Sequence, residues 1–278
     1  MSSPAVHVFD TPARVALRLQ LRSADVSVVT GDVSTTELEV TARRDADAAE
    51  VVTVTSRGRG DVTEILVEER KRRSGLGRDA GIAIRVTCPH GTDVDCASGS
   101  SDLEVDGELG DLVVKTGSGD VRVAHVRGSA RVTGASGDVT IGSIVGASNV
   151  QTASGDVSIG PAGGAVSINA VSGGVELRTA NAGLSVTSVS GDVHVGALVA
   201  GDAKVQSVSG DVELGVAPGT PVWIDAQSVS GDIASGLELE DSVAGDEGAV
   251  VELRIRTVSG DVVINRAVSV TSPGPGSL

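Results

Sequence analysis

The chain has 278 residues, but only 1% of them are aromatic: one Phe, one Trp and no Tyr. Globular enzyme cores normally contain several aromatic rings, so this core must consist of Val, Ile, Leu and Ala, which suit thin layers of stacked strands. The net charge of −15 is uneven, because residues 1–99 hold 13 basic against 15 acidic side chains (13 − 15 = −2) and residues 100–278 hold 9 against 22 (9 − 22 = −13). An acidic body argues against nucleic acid or an anionic membrane as a partner.

Residues 1–99 are expected to form an irregular β region. Residues 15–21 alternate between apolar and polar side chains, which predicts a half-buried strand. Further strands are expected at residues 26–29, 38–42, 51–55, 63–67 and 82–87. Degenerate copies of a Gly-Asp-Val phrase begin at Gly31 and Gly60, so we expect longer, irregular coils that continue into the following region.

A charged loop lies between two of these expected strands. Its basic run comprises Arg70, Lys71, Arg72 and Arg73. These side chains are candidates for contact with an acidic partner, although a solvated loop beside Glu68 and Glu69 is the simpler interpretation.

From residue 100 onward the phrase Ser-Gly-Asp-Val, or a near copy, recurs at a nearly constant interval. The copies begin at Ser100, Ser118, Ser136, Ser154, Ser172, Ser190, Ser209, Ser230 and Ser259. The first five intervals are 18 residues and the later ones are 19, 21 and 29. A fixed short period indicates one structural unit stacked on copies of itself.

Each repeat contains two short alternating segments. The residue after Asp and the one two further on are apolar, as in Val121 and Val123, and a second alternation follows half a repeat later, as in Ala130 and Val132. This pattern predicts an all-β fold, a β-solenoid with about 18 residues per coil. Two facing sheets are favoured. A triangular coil is the alternative, with residues such as Val126, Val145 and Leu198 on its third face.

The repeats become less regular toward the C-terminus. The coil that begins at Ser230 is 11 residues longer than 18 and carries an acidic insertion near residues 237–248. The Pro- and Gly-containing tail, residues 268–278, is expected to be disordered. The expected organisation is therefore an irregular region at 1–99, a regular solenoid at 100–267 and this tail.

The phrases that begin at Thr116, Thr152 and Ser188, and the lead-in Cys88-Pro-His-Gly-Thr-Asp-Val94, resemble a known bacterial family. It is the domain-of-unknown-function family labelled putative adhesin, whose members carry Ser-Gly-Asp-Val repeats. The resemblance covers roughly residues 80–267. It implies a repetitive β fold and an adhesin-like role, and it is the only reason to consider a surface location.

The recurring aspartates allow two interpretations. As a row of carboxylates they are candidate Ca²⁺ ligands between coils, and the candidates are Asp120, Asp138, Asp156, Asp192 and Asp211. As part of a turn, Gly supplies an unusual φ while Ser and Asp cap backbone N–H groups. Turn chemistry is favoured, because the Gly-Gly-x-Gly-x-Asp nonapeptides of Ca²⁺ β-rolls are absent.

Other candidate chemistry is weaker. The recurring serines lack a Gly-x-Ser-x-Gly context and an evident base among four scattered histidines. Cys88, His90, Asp95 and Cys96 do not fit a closed zinc set. We therefore predict no catalytic residues, no cofactor and no enzyme activity, and a small-molecule substrate is not expected.

The predicted function is a non-enzymatic scaffold or protein-interaction module that binds a protein partner or itself. Trp223 is the main contact candidate, because it is expected to point outward between Val222 and Ile224. The alternatives are a Ca²⁺-dependent surface or adhesion module and a carbohydrate-active β-helix enzyme. The cytoplasm is the expected location, since neither a signal peptide nor a run of roughly 20 apolar residues is present.

Overall fold

The computed structural model describes residues 4–12, 14–42, 48–70, 81–237 and 251–267. Apart from one helical turn, α1 (Ala48–Val51), its regular elements are strands. The strands are β1 (Ala5–Asp10), β2 (Arg14–Gly31), β3 (Thr35–Ala42), β4 (Val52–Arg59), β5 (Val62–Glu69), β6 (Ile82–Pro89), β7 (Thr92–Ser118), β8 (Val121–Val126), β9 (Ala130–Ser136), β10 (Val139–Ile144), β11 (Ser148–Ser154), β12 (Val157–Ala162), β13 (Val166–Ser172), β14 (Val175–Ala180), β15 (Leu184–Ser190), β16 (Val193–Leu198), β17 (Ala203–Ser209), β18 (Val212–Val216), β19 (Val222–Ser230), β20 (Ile233–Ser235), β21 (Val251–Ser259) and β22 (Val262–Arg266).

The regular body is a stack of two-stranded coils. Each strand pairs in parallel with its equivalent one repeat away, so that Val139 lies opposite Val121 on one side and Val157 on the other. The strands that follow the Gly-Asp corner form one ladder, ladder A, and the other strands form ladder B. The successive rungs of ladder A are Ile84, Val26, Leu103, Val121, Val139, Val157, Val175, Val193, Val212, Val262 and Ile233. The expected all-β solenoid with 18-residue coils is confirmed.

The core is a thin column of aliphatic side chains inside the coils. In one coil the buried residues are Val157, Ile159, Ala162, Val166, Ile168 and Ala170. The step from Ile159 to Ala162 breaks the alternation by one residue, so the ladder A strand bends and turns a third short segment toward the core. Val126 and Leu198 occupy this position as expected.

Val145, expected on that same third face, was placed wrongly. Its side chain is exposed, and Ile144 is buried in its place. The reason is register, because Ile144 pairs with Val126 and Ala162 in the adjacent coils.

The irregular N-terminal region contributes two coils and a group of antiparallel strands that covers the end of the stack. Strand β2 pairs in parallel with β7 on one edge and with β5 and β6 on the other. Strands β3 and β4 then add antiparallel to β6 and β5, and β1 adds antiparallel to β3. Strand β7 runs across residue 99, while the proposed division of the chain at that point stays a prediction.

The last coils do not stack in chain order. Strand β17 pairs with β21, and β21 pairs with β19 on its other edge, while β18, β22 and β20 follow the same order in ladder A. The segment of β21 and β22 is thus inserted between two coils that precede it in sequence. Sequence order alone would place the coil from Ser230 before the coil from Ser259. The acidic insertion and the tail lie largely outside the described residues.

The two ends of the stack differ in how well their core is covered. In the first coil Ile65, Val67, Ile84 and Val86 are fully buried, because β3 and β4 extend past them. In the last coil Val222, Ile224 and Ala226 are only partly buried, whereas their neighbours Leu253 and Ile255 are completely buried. Within the described part of the chain, the C-terminal end is therefore the open end.

Candidate functional site: the Gly-Asp corner and the lateral groove

The Gly of each phrase makes the corner between the two strands of a coil. In the regular body its φ is positive, from 111° at Gly137 to 148° at Gly231. A Cβ added at Gly155 would collide with the carbonyl oxygen of Gly137 in the adjacent coil. Both the backbone conformation and the close approach of neighbouring coils therefore require glycine.

The Asp of each phrase links one coil to the next. Its Oδ1 accepts a hydrogen bond from the backbone N–H of the equivalent residue in the adjacent coil, at 2.8–3.0 Å. The donor–acceptor pairs are Asp120–Asp102, Asp138–Asp120, Asp156–Asp138, Gly174–Asp156, Asp211–Asp192, Asp261–Asp211 and Asp232–Asp261. We call this row the carboxylate ladder.

The carboxylate ladder is an exposed row, and the charge of one member, Asp120, is stabilised by its neighbours. The backbone N–H of Asp138 holds the pKa of the Asp120 carboxyl below its ordinary value, and the Arg122 guanidinium, 2.8 Å from Oδ2, acts in the same direction. Among the residues that the structure describes, no group of three or more His, Cys, Asp or Glu side chains is arranged to hold a metal ion. Calcium binding by Asp120, Asp138, Asp156, Asp192 and Asp211 stays a prediction.

Gly174 interrupts the ladder. Its N–H donates to Asp156, but it has no carboxylate to offer to the next coil, which contains Asp192. A notch of about 280 Å³ lies beside it, lined in part by Glu176 and His194. His194 Nδ1 lies 3.1 Å from Glu213 Oε2 one coil further on.

The serines of the phrase contribute their backbone to the corner. Their carbonyl oxygens accept the N–H of a Gly in the adjacent coil, as from Gly155 to Ser172 at 3.2 Å. In the described part of the chain, the hydroxyls of the leading serines do not cap backbone N–H groups, whereas Ser101, at the glycine position of the first copy, accepts the Ala24 N–H at 3.0 Å.

One serine–histidine contact was missed from the sequence. His125 Nδ1 lies 2.9 Å from Ser143 Oγ in the adjacent coil. The pair follows from the 18-residue period, since 143 − 125 = 18. It lies on the exposed surface, outside the lateral groove, and no hydrogen-bonded acid orients the imidazole in the described residues, so it lacks the arrangement of a catalytic triad.

The two cysteines lie in the core and are not paired with each other. Cys88 and Cys96 are both buried and free. Burial raises the pKa of both thiols, that of Cys96 to about 12 with a further contribution from Asp95. A thiol in this environment stays protonated and inert, and His90 hydrogen-bonds instead with Thr30 Oγ1 at 3.0 Å.

A long groove runs along the outside of the stack where each chain segment enters ladder B. It has a volume of about 750 Å³ and crosses seven coils, from Asp111 to Arg254, which corresponds to roughly 29 Å of stack. Small side chains form its floor: Ser129, Ala147, Ala165 and Gly183. We call it the lateral groove, and the sequence analysis did not identify it.

Among the described residues, the charged side chains of the lateral groove lie at its two ends. Asp111 and Arg131 lie at one end, and Asp202, Lys204, Glu252 and Arg254 lie at the other. The lining between them, which includes Asn149, Ser167 and Ser185, is uncharged. The groove therefore has a neutral floor with charged groups about five coils apart.

The predicted contact residues fall at different places. Trp223 is half exposed on β19 of the open end, in register with Glu252. Arg70 is exposed, and its Nε donates to Thr53 Oγ1 at 2.6 Å. Lys71, Arg72 and Arg73 lie outside the described residues. The contact roles of all five stay predictions.

Comparison with known proteins places the chain in a family. Its sequence matches the family described as Toastrack DUF4097 over residues 16–265. The chain belongs to this family. The family resemblance expected from the Ser-Gly-Asp-Val repeats is thereby confirmed. No curated protein matches this Toastrack chain.

Solved structures resemble this Toastrack protein at low sequence identity. A putative adhesin from Bacteroides fragilis is 14% identical, with 95% of this chain and 98% of that chain covered and a TM-score of 0.41. A putative lipid binding protein from Parabacteroides distasonis is 10% identical, with coverages of 94% and 96% and a TM-score of 0.40. A putative cell adhesion protein from Clostridium sporogenes is 10% identical, with coverages of 95% and 100% and a TM-score of 0.30.

No helix among the described residues has the length and apolar character needed to cross a membrane.

Proposed function

We propose that the protein is a non-enzymatic, adhesin-like scaffold that binds an extended segment of a protein partner in its lateral groove. The observation that carries the proposal is the groove itself, which continues along seven coils of a rigid stack. Small floor residues allow a second backbone to approach closely, and the charged groups at the two ends fix the orientation of a segment that carries complementary charges.

The lining of the groove favours binding over catalysis. The groove contains no His or Cys side chain, and its carboxylates lie at its ends, away from the uncharged middle. General acid–base catalysis requires titratable groups within reach of one reacting centre, and no such cluster lies in the middle of the groove.

The same lining favours a protein segment over a carbohydrate. Sugar-binding grooves usually offer aromatic rings as stacking platforms, and the lateral groove has none. A carbohydrate-active enzyme is therefore not part of the proposal.

Obstruction of the groove tests this proposal. The variant Ala147→Arg/Ala165→Arg places two long side chains on the groove floor, and both alanines are exposed. The control variant Ala135→Arg/Ala153→Arg makes the same change at two exposed alanines of ladder B outside the groove. We expect the wild type and the control to capture a protein partner from a lysate of the source cells. The groove variant should capture at least tenfold less of that protein.

Equal capture by the two variants would contradict the role of the groove. Calcium-dependent adhesion is a separate hypothesis, and equal capture in Ca²⁺ and in chelator is expected if the groove acts alone. The cytoplasmic location also stays a prediction, which fractionation of the source cells checks.

A further inference from the structure

The open end of the stack presents an unpaired strand edge. Within the described residues, β19 pairs with β21 on one edge and with no strand on the other. Its outward-facing side chains include Trp223, 52% exposed, and Val229, 81% exposed. Native proteins usually protect such an edge with lysine, proline or a bulge, and β19 contains none of these.

The exposed apolar surface at this end continues from the edge into the core. Ile224 is only partly buried, whereas its neighbour Leu253 in the inserted coil is completely buried. Each further coil in the stack covers the core of the one before it, so the last coil leaves apolar surface without a cover.

The sequence of β19 is complementary to itself in one antiparallel register. With Ala226 on a twofold axis, Trp223 of one copy lies opposite Val229 of the other, and Asp225 lies opposite Gln227. Residues 223, 225, 227 and 229 share the outer face of the strand, so the apolar groups meet each other and the single carboxylate meets an amide. Because Asp225 is the only charged residue of the strand, this register places no two like charges directly opposite each other.

We propose that two copies of the chain join end to end through antiparallel pairing of β19 with β19, which forms a closed dimer. Ladder B of one copy then continues into ladder B of the other copy as a single sheet that crosses the twofold axis. The interface is isologous and consumes the edge that it uses. At the N-terminal end, antiparallel strands cover the core, and pairing through β19 alone gives two copies and no filament.

Mass measurement of the full chain at increasing concentration tests the dimer. A light-scattering mass of twice 27.7 kDa is expected for the wild type. Val229→Lys places a charge at the unpaired edge, and we expect its mass to fall to that of the monomer. Val208→Lys is the matched control, because Val208 lies at the equivalent exposed position two coils inward, away from the edge. Its mass is expected to stay that of the dimer.

A cysteine scan tests the register. Opposed Cα atoms in an antiparallel pair lie about 4.5–5.5 Å apart, within disulfide range. Ala226→Cys therefore should form a covalent dimer on mild oxidation. Ser228→Cys is also partly buried on the same strand, but in this register its two copies lie about 13 Å apart and should not link.

Three results overturn the proposal: a wild type that is monomeric at all concentrations, equal masses for Val229→Lys and Val208→Lys, or efficient crosslinking of Ser228→Cys in preference to Ala226→Cys. A monomeric wild type would indicate that the end is covered within one chain. The dimer is independent of the lateral groove, so the groove variants should keep the wild-type mass even if they lose their partner.

Discussion

The aspartate of each corner performs a task that its neighbours in the coil cannot perform. The positive φ of the preceding Gly turns the chain, and the carboxylate then spans one coil spacing to reach a backbone N–H. A corner N–H has no strand partner of its own, and an unsatisfied N–H costs free energy wherever water has limited access. The repeated phrase therefore combines the turn with the connection to the next coil.

The gap at Gly174 allows a direct test of this role. Its backbone has no positive φ, and an added Cβ would meet only Asp156 Oδ1 and Asp192 O at ordinary contact distances of 3.7 and 3.8 Å. We expect Gly174→Asp to restore the missing acceptor for the Asp192 N–H and to raise the free energy of unfolding by about 1 kcal/mol, as measured by urea denaturation.

Gly174→Asn separates the acceptor from the charge in this test. Asparagine offers the same acceptor oxygen without adding to the repulsion between Asp156 and Asp192, so it should stabilise at least as much at low salt. Destabilisation by both variants would show that the ladder bond contributes nothing at this corner.

Acid should weaken the ladder at Asp120. The folded state lowers the pKa of this carboxyl, mainly through the Asp138 N–H and then through Arg122. A lowered pKa means that the stabilisation is complete above the unfolded-state pKa, near 3.9, and is lost as the pH falls through the lower folded-state pKa. Asp120→Asn should therefore be less stable than the wild type at pH 7 by less than about 1 kcal/mol.

Measuring the stability of Asp120→Asn and of the wild type at several pH values tests whether the charge on Asp120 is responsible for the difference. The stability difference between Asp120→Asn and the wild type should shrink as the pH falls below about 4 and should vanish once Asp120 is protonated in the folded state, because both side chains are then neutral. Urea midpoints measured at each pH test this, and a difference that is constant across the series would show that the charge on Asp120 has no part in stability.

At the scale of the strands, the sequence predicts what repeats and misses what interrupts the repeat. The inward pair Val157 and Ile159 and the corner at Gly155 follow from period 2 within a period of 18. The buried Ile144 was mistaken for Val145 because a bend shifts the alternation by one residue, and only the register with Val126 resolves it. The lateral groove was missed because it is formed by small side chains from several coils, none of which is distinctive alone.

The order of the last coils also could not be read from the repeat. The phrases at Ser230 and Ser259 offer the same strand pattern to a neighbour, so either of them can follow β17 in ladder B. What distinguishes them is how well each one fills the interior. At equivalent inward positions the inserted strand β21 carries Leu253 and Ile255, whereas β19 carries Ile224 and the smaller Ala226.

The position of the inserted coil predicts that the same Ile→Ala substitution lowers the free energy of unfolding by different amounts in β21 and in β19. Ile255 is fully buried between two coils, so Ile255→Ala should cost about 3 kcal/mol of unfolding free energy. Ile224 is partly exposed in the end coil, and Ile224→Ala should cost roughly 1 kcal/mol or less. Urea denaturation measures both, in the Val229→Lys background, so that dimer formation does not contribute. Stacking in sequence order would reverse the two costs.

For the whole molecule, the difference between the two ends is the main consequence of the topology. The second coil from each end of the stack is formed by a segment close to one terminus of the chain. At the N-terminal end this segment is β2, which lies next to the first coil. At the other end it is β21 with β22, which lies next to the last coil. Strand β2 and the segment of β21 and β22 are thus held between coils, and each outermost coil is an internal segment. Among the residues that the structure describes, only the N-terminal outermost coil gains additional strands that cover its core.

Amide hydrogen exchange should follow this difference along the stack. In a repeat protein each coil is stabilised mainly by its two neighbours, and a coil with one neighbour opens at lower free energy than the global unfolding. At low protein concentration, peptides from β19 and β20 should therefore exchange much faster than those from β6, which belongs to the outermost coil of the covered end. At high concentration, dimer formation should slow exchange in β19 and leave the internal strand β13 unchanged. Slow exchange in β19 at every concentration would mean that the C-terminal end is already covered within a single chain.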